Sequence, residues 1–160
     1  METMNMRDVA VRAKVSTRTL HRYFPSKNLL LLSAFIDQAV TTDFFPEPAE
    51  AGDPLERVVG AFRHSTEALI ALPHVAAGLM AALVAADERA LPLLEAYRDS
   101  LQERAVRAVA NGDVTARERA IARALAQVWF AAMAGWVTGA EKPESVLESV
   151  EDAARLMLGE

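Results

Sequence analysis

Apolar residues along this chain recur at spacings of three and four, and no stretch alternates as a half-buried strand would. The pattern predicts an all-α fold. Asn5 can cap a first helix that runs to about Lys14, with Asp8 three residues on in capping-box position. Ser16 suits the N-cap of a second, short helix over 17–24, ended by Pro25. Ser26 caps a third, running from Lys27 to about Thr42. Residues 45–53 then break the periodicity with two prolines, a glycine and three acids. We place a domain boundary there, giving units of 1–44 and 45–160, with the third helix spanning the join.

Beyond the break, Asp53 and Pro54 open a helix that runs to about Ala71. Residues 74–86 are almost all small and apolar, which predicts a helix buried on every side. Residues 88–110 carry Leu94, Tyr97, Leu101, Ala105 and Ala108 on one stripe and stop at Asn111-Gly112. Thr115 caps a long helix to Val137, ended by Gly139, and a last amphipathic helix follows Pro143.

Composition narrows the class. With 52% hydrophobic residues in 160, the chain can bury one helical body with a small appended module, and disorder is excluded. It has no cysteine, so disulfides and thiolate metal sites are excluded and a reducing cytoplasm is the expected setting. The N-terminus lacks a basic-then-apolar signal pattern. The most apolar run, Ala124 to Val137, is shorter than the roughly 20 residues of a membrane span. We therefore expect no membrane partner.

The net charge of −5 conceals a split. Residues 1–36 hold six Lys and Arg against two acids, while the remainder holds eleven against twenty. A basic module on an acidic body suits a protein that touches a polyanion at one end, although a solvated basic face accounts for it as well.

The basic end has the outline of a helix-turn-helix. Val9, Ala10, Ala13, Val15 and Leu20 can pack the two short helices across a tight turn. Ser16, Thr17, Arg18 and Thr19 stand at the N-terminal end of the second helix, where side chains reach base edges, with His21 and Arg22 following. Tyr23 and Lys27 can donate to phosphates, as can the amides behind Ser26.

The run Val9-Ala10-x-x-Ala13-x-Val15-Ser16-x-x-Thr19-Leu20-x-x-Tyr23-Phe24-x-x-Lys27-x-x-Leu30-Leu31 resembles the tetracycline-repressor (TetR) family of transcriptional regulators. The match covers about thirty residues. The resemblance implies a recognition helix after Ser16, phosphate contacts at Tyr23 and Lys27, and a connecting helix from Lys27. It further implies a homodimer on a palindromic operator in double-stranded DNA, released when a small hydrophobic effector enters the helical body.

Two positions depart from the family pattern. Lys14 stands where the family's turn usually has glycine, and a left-handed lysine there would cost about 1 kcal/mol. Family members also begin with a further amphipathic helix, and only Met1 to Asn5 precede the first helix here. We therefore expect a truncated DNA-binding module, whose Val9, Val11, Leu20, Phe24 and Leu31 would lack a covering surface. Either the natural protein begins upstream, which we favour, or the module is frayed.

In the body, Gln127 is the only polar residue between Ala124 and Val137, so that helix is apolar on more than one face. With the last helix it can form half of an intermolecular four-helix bundle, anchored by Trp129, Phe130 and Trp136. The expected dimer face is Val128, Ala132, Gly135 and Trp136 on the first of these, with Val146, Val150, Ala154 and Met157 on the second. An ordinary core helix is the other reading. His64, His74, Met80, Tyr97, Trp129 and Met133 are the residues expected to line an effector cavity, although core packing explains each of them too.

No catalytic constellation is visible. Three scattered histidines give no metal-ligand spacing, and the chain has neither a nucleophile elbow nor a glycine-rich phosphate loop. We expect no enzyme, metal or cofactor. The rival reading is a helical dimer that does not bind DNA and instead sequesters a hydrophobic ligand or a full-length sibling.

Overall fold

The computed structural model describes residues 5–41, 52–86, 88–110 and 113–159. The predicted domain boundary at 44/45, the end of the third helix near Thr42 and the Asn111-Gly112 stop lie outside them. Every regular element described is an α-helix: α1 (Met6–Arg12), α2 (Thr17–Tyr23), α3 (Lys27–Thr41), α4 (Pro54–Ala71), α5 (Pro73–Val84), α6 (Leu91–Val109), α7 (Ala116–Val137) and α8 (Glu144–Leu158). Residues 88–90, expected to be helical, form a turn ahead of α6, whose N-terminus carries Pro92. Proline fits the first turn, where its missing N–H has no intrahelical partner.

Side-chain caps set the starts of α1, α2, α3 and α7. Asn5 accepts a hydrogen bond from the Arg7 N–H at 3.0 Å, and Ser16 Oγ accepts from the Thr19 N–H at 3.0 Å. Ser26 Oγ takes the Leu29 N–H at 3.1 Å. Thr115 and Glu118 complete a reciprocal capping box, and the bonds Glu118 accepts from the Thr115 N–H and hydroxyl hold its carboxyl below the usual range.

Two helix ends close by the same device. At the end of α7, Gly139 at φ 79° lets its N–H reach Trp136 O (2.9 Å), and the Ala140 N–H reaches Gly135 O (2.9 Å). At the end of α1, Lys14 at φ 56° does the same: its N–H bonds Val11 O (3.1 Å) and the Val15 N–H bonds Ala10 O (3.0 Å). The helix-turn-helix corner thus takes a glycine-type cap with a lysine in the left-handed position.

The body is built on α4, α6, α7 and α8, with α7 packed against α6 and α8, and α4 against the same two helices. Pro73 lacks an N–H and pushes Leu72 out of helical geometry, so α5 leaves α4 at 107°. That bend carries α5 to α3, whose Leu32 is wholly buried and whose Leu29, Leu31 and Phe35 pack on the body's core. Asn28 at the start of α3 donates to Ala85 O at the end of α5 (3.3 Å).

Two expectations need correction. α5 is not buried all round: Ala76, Leu79, Met80 and Ala82 face the core, while His74, Val75, Ala77, Ala81 and Val84 are exposed. Its neighbours α3, α4 and α7 cover one side, and a helix of alanines gives no outward signal of which side that is. The apolar run Ala124 to Val137 belongs to a helix of 22 residues, long enough by length to cross a bilayer. It instead supplies Ile121, Leu125, Trp129 and Met133 to the core.

Among the described residues, Arg57 is the one cation buried in the core, only 5% exposed. Its guanidinium donates to Gly52 O (2.8 Å), Ala108 O (3.2 Å) and Ala110 O (3.3 Å). The last two belong to the C-terminal end of α6, where carbonyls lack intrahelical partners and the helix dipole favours positive charge. Arg57→Leu should therefore cost about 3 kcal/mol, read as a lower urea midpoint, because it strands these carbonyls. Arg57→Lys should recover only part, since one ammonium cannot span all three; an unchanged midpoint for Arg57→Leu would refute this role.

Candidate nucleic-acid interface and internal cavity

The helix-turn-helix rests on two buried residues, Ala10 and Leu20, with Val9 and Phe24 half-buried and Val11 71% exposed; Leu31 of α3 is half-buried against the body. Of the residues expected to face nucleic acid, Thr17, Arg18, His21, Arg22 and Tyr23 are exposed. Ser16 and Thr19 have a different occupation: their hydroxyls bond each other at 2.8 Å while Ser16 caps the helix. They fix the N-terminal end of α2 and so orient the exposed side chains of that helix.

Arg22 lies over its neighbour's ring, with Cζ 5.0 Å from the Tyr23 centroid and Nη2 donating to the phenol oxygen at 3.2 Å. The phenol keeps its own O–H for an outside acceptor. Lys27 is half-buried in the first turn of α3, beside the capped amides. Hydroxyls, guanidinium groups and an ammonium on exposed helix ends can grip phosphates and reach base edges.

A cavity of about 520 Å³ opens between α4, α5, α6 and α7. Met80, Tyr97, Trp129 and Met133, four of the six residues singled out for a cavity, line it. His64 and His74 do not, and this corrects the sequence reading. His64 lies on the solvent side of α4, opposite Phe62, Thr66 and Leu69, and His74 is exposed in the first turn of α5.

Trp129 is anchored in the wall. Its indole N–H donates to Thr66 Oγ1 (2.8 Å), and that hydroxyl donates to Phe62 O (2.7 Å). Tyr97 meets Phe35 of α3 edge to face at 5.9 Å. Burial pushes its phenol well above the ordinary tyrosine range, with the Arg104 charge pulling the other way, so it stays a neutral donor. The sequence reading missed Arg104, Arg98, Glu95 and Gln127, which also line the cavity. Arg104 stands seven residues, or two turns, from Tyr97 on α6, and that spacing was a usable signal.

The residues expected to form a dimer face divide. Val146, Val150 and Ala154 have no exposure and Ala132 only 6%, so they are spent on this chain's own core and offer a partner no surface. At Gly135, also placed on the expected face, a side-chain carbon would stand 3.0 Å from Glu141 Cδ of the same chain. Val128, Trp136 and Met157 are half-buried, and Leu156 beside them is 84% exposed. Among the described residues no group of three or more metal-ligating side chains forms.

Two family descriptions match the chain: "Bacterial regulatory proteins, tetR family" over residues 1–34, and "Tetracyclin repressor-like, C-terminal domain" over residues 52–157. Similar proteins include the HTH-type transcriptional repressor KstR of Rhodococcus jostii, 30% identical over 99% of this chain and 75% of the relative. The HTH-type transcriptional repressor KstR of Mycobacterium tuberculosis is 32% identical over 99% of this chain and 73% of its own length. The fold is shared with the crystal structure of a TetR transcriptional regulator from Rhodococcus sp. RHA1. There the TM-score is 0.83 at 23% identity, covering 97% of this chain and 84% of that one.

The Thr66 hydroxyl gives a direct check on the cavity wall. Thr66→Val strands the buried Trp129 N–H, so stability should fall by about 1–3 kcal/mol and the tryptophan emission should change. Thr66→Ser retains the hydroxyl and should leave the emission as it was. Identical emission from native and Thr66→Val protein would contradict the bond.

Proposed function

The chain belongs to the TetR family of bacterial regulatory proteins, and from that premise we propose that it is a ligand-responsive transcriptional repressor. It acts in the cytoplasm as a homodimer on a palindromic operator. The observation that carries this reading is the exposed row Thr17, Arg18, His21, Arg22 and Tyr23 on a short helix whose cap is bonded inward. A row without core duties, on the positive end of an acidic chain, suits the major groove. Thr17, Arg18 and His21 read bases; Tyr23, held by Arg22, and Lys27 bind phosphates. The unit through α3 binds DNA and the remainder binds effector and partner.

The effector enters the cavity between α4 and α7. Its wall touches the DNA-binding unit through Tyr97 and Phe35, so a ligand that displaces the Tyr97 ring also presses on α3. The dimer face follows the outer sides of α7 and α8, with Val128 and Ala131 on one and Ala153 and Leu156 on the other. Two such helices from each copy make a four-helix bundle. The names of the similar repressors support this reading at the level of regulator and target class.

Gel retardation with the DNA upstream of the protein's own gene tests it. The chain should retard that fragment, with affinity falling as salt rises. Arg18→Ala should weaken binding by about 1–3 kcal/mol and relax the sequence preference. Lys27→Ala should weaken it evenly across sequences and lower the salt slope by about one. If the chain fails to retard the fragment at low salt, the repressor reading falls and the ligand-sequestering dimer takes its place.

A further inference from the structure

We propose that the cavity selects an acid: an apolar molecule bearing a single carboxylate, which Arg104 and Tyr97 hold from the α6 wall. This rests on the effector reading above and names the chemistry that the site prefers. The cavity's volume of about 520 Å³ falls within the range of about 300–1,000 Å³ typical of small-molecule sites. Its lining is otherwise aliphatic and aromatic, so its few polar groups decide orientation.

Those polar groups sort by depth. Glu95, Arg98 and Gln127 are exposed, and Arg98 faces Asp99 at 3.6 Å on the surface. They mark the mouth. Tyr97 and Arg104 are the polar liners drawn further in, and Arg104 Nη1 is shut off from solvent. Two turns apart on α6, they present a neutral phenol O–H and a fixed positive charge from the same face.

A guanidinium has five N–H donors in a planar fork, so those outside the enclosed Nη1 can bond a carboxylate beside its existing contacts. Charge-assisted bonds of this kind are roughly twice as strong as neutral ones and gain further in a water-poor wall. An alcohol of the same length can take only a neutral bond.

The test compares dodecanoate with dodecanol, matched in apolar length and differing in the head group. Binding is followed through tryptophan emission, since Trp129 lines the cavity, at neutral pH on the full chain. The acid should bind at least about tenfold more tightly than the alcohol. Arg104→Met should abolish that preference while leaving alcohol binding in place, which also shows that the variant has folded. Arg104→Lys should retain part of the preference, and Tyr97→Phe should reduce it without changing the shape of the cavity. Equal binding of acid and alcohol to the native chain overturns the acid inference and leaves the effector cavity standing. So does an undiminished preference in Arg104→Met. No emission response to either compound overturns both readings.

Discussion

The burial of one face of α3 against α5 is the constraint on which the rest of the structure depends. α3 follows the helix-turn-helix directly in the chain and packs on the body through α5, so it joins the two. Leu32 is wholly enclosed there, Phe35 reaches Tyr97, and Asn28 answers an end-of-helix carbonyl on α5. The α3–α5 contacts would be lost if α5 simply continued α4. The Pro73 break swings it through 107°, and the cavity occupies the angle so created.

Among the described residues few polar groups are buried in the body, and two of them satisfy backbone carbonyls. Arg57 closes the open end of α6 and Thr66 links Trp129 to α4. Such groups fix one arrangement of helices where aliphatic packing alone would tolerate several. The same frugality makes Tyr97 and Arg104, the deeper polar liners of the cavity wall, conspicuous.

The helices and their caps were legible in the sequence, since Ser16, Ser26 and Thr115 advertise themselves through short-range chemistry. The left-handed turn at Lys14 was legible too, as a position where the expected residue is glycine. What failed was the choice of faces. Val146, Val150 and Ala154 form the cleanest stripe on α8, and the cleanest stripe is claimed first by the chain's own core. The less regular residues beside it, such as Leu156, are the ones left exposed. His64 and His74 were chosen for their chemistry on apolar helices, yet an alanine-rich helix such as α5 does not declare its inner side. Arg104 was overlooked because a charge among apolar neighbours reads as solvent-facing until the helix is packed.

The division of labour between α2 and α3 bears on descent. The exposed residues of α2, a helix that packs mainly on α1, can be exchanged without moving a core atom. The buried face of α3 has no such freedom, because each of its residues is answered by the body. Changes on the exposed face of α2 and changes on the buried face of α3 therefore arise under different constraints. Each can be inherited without the other, while the joint between them stays under constraint from both sides.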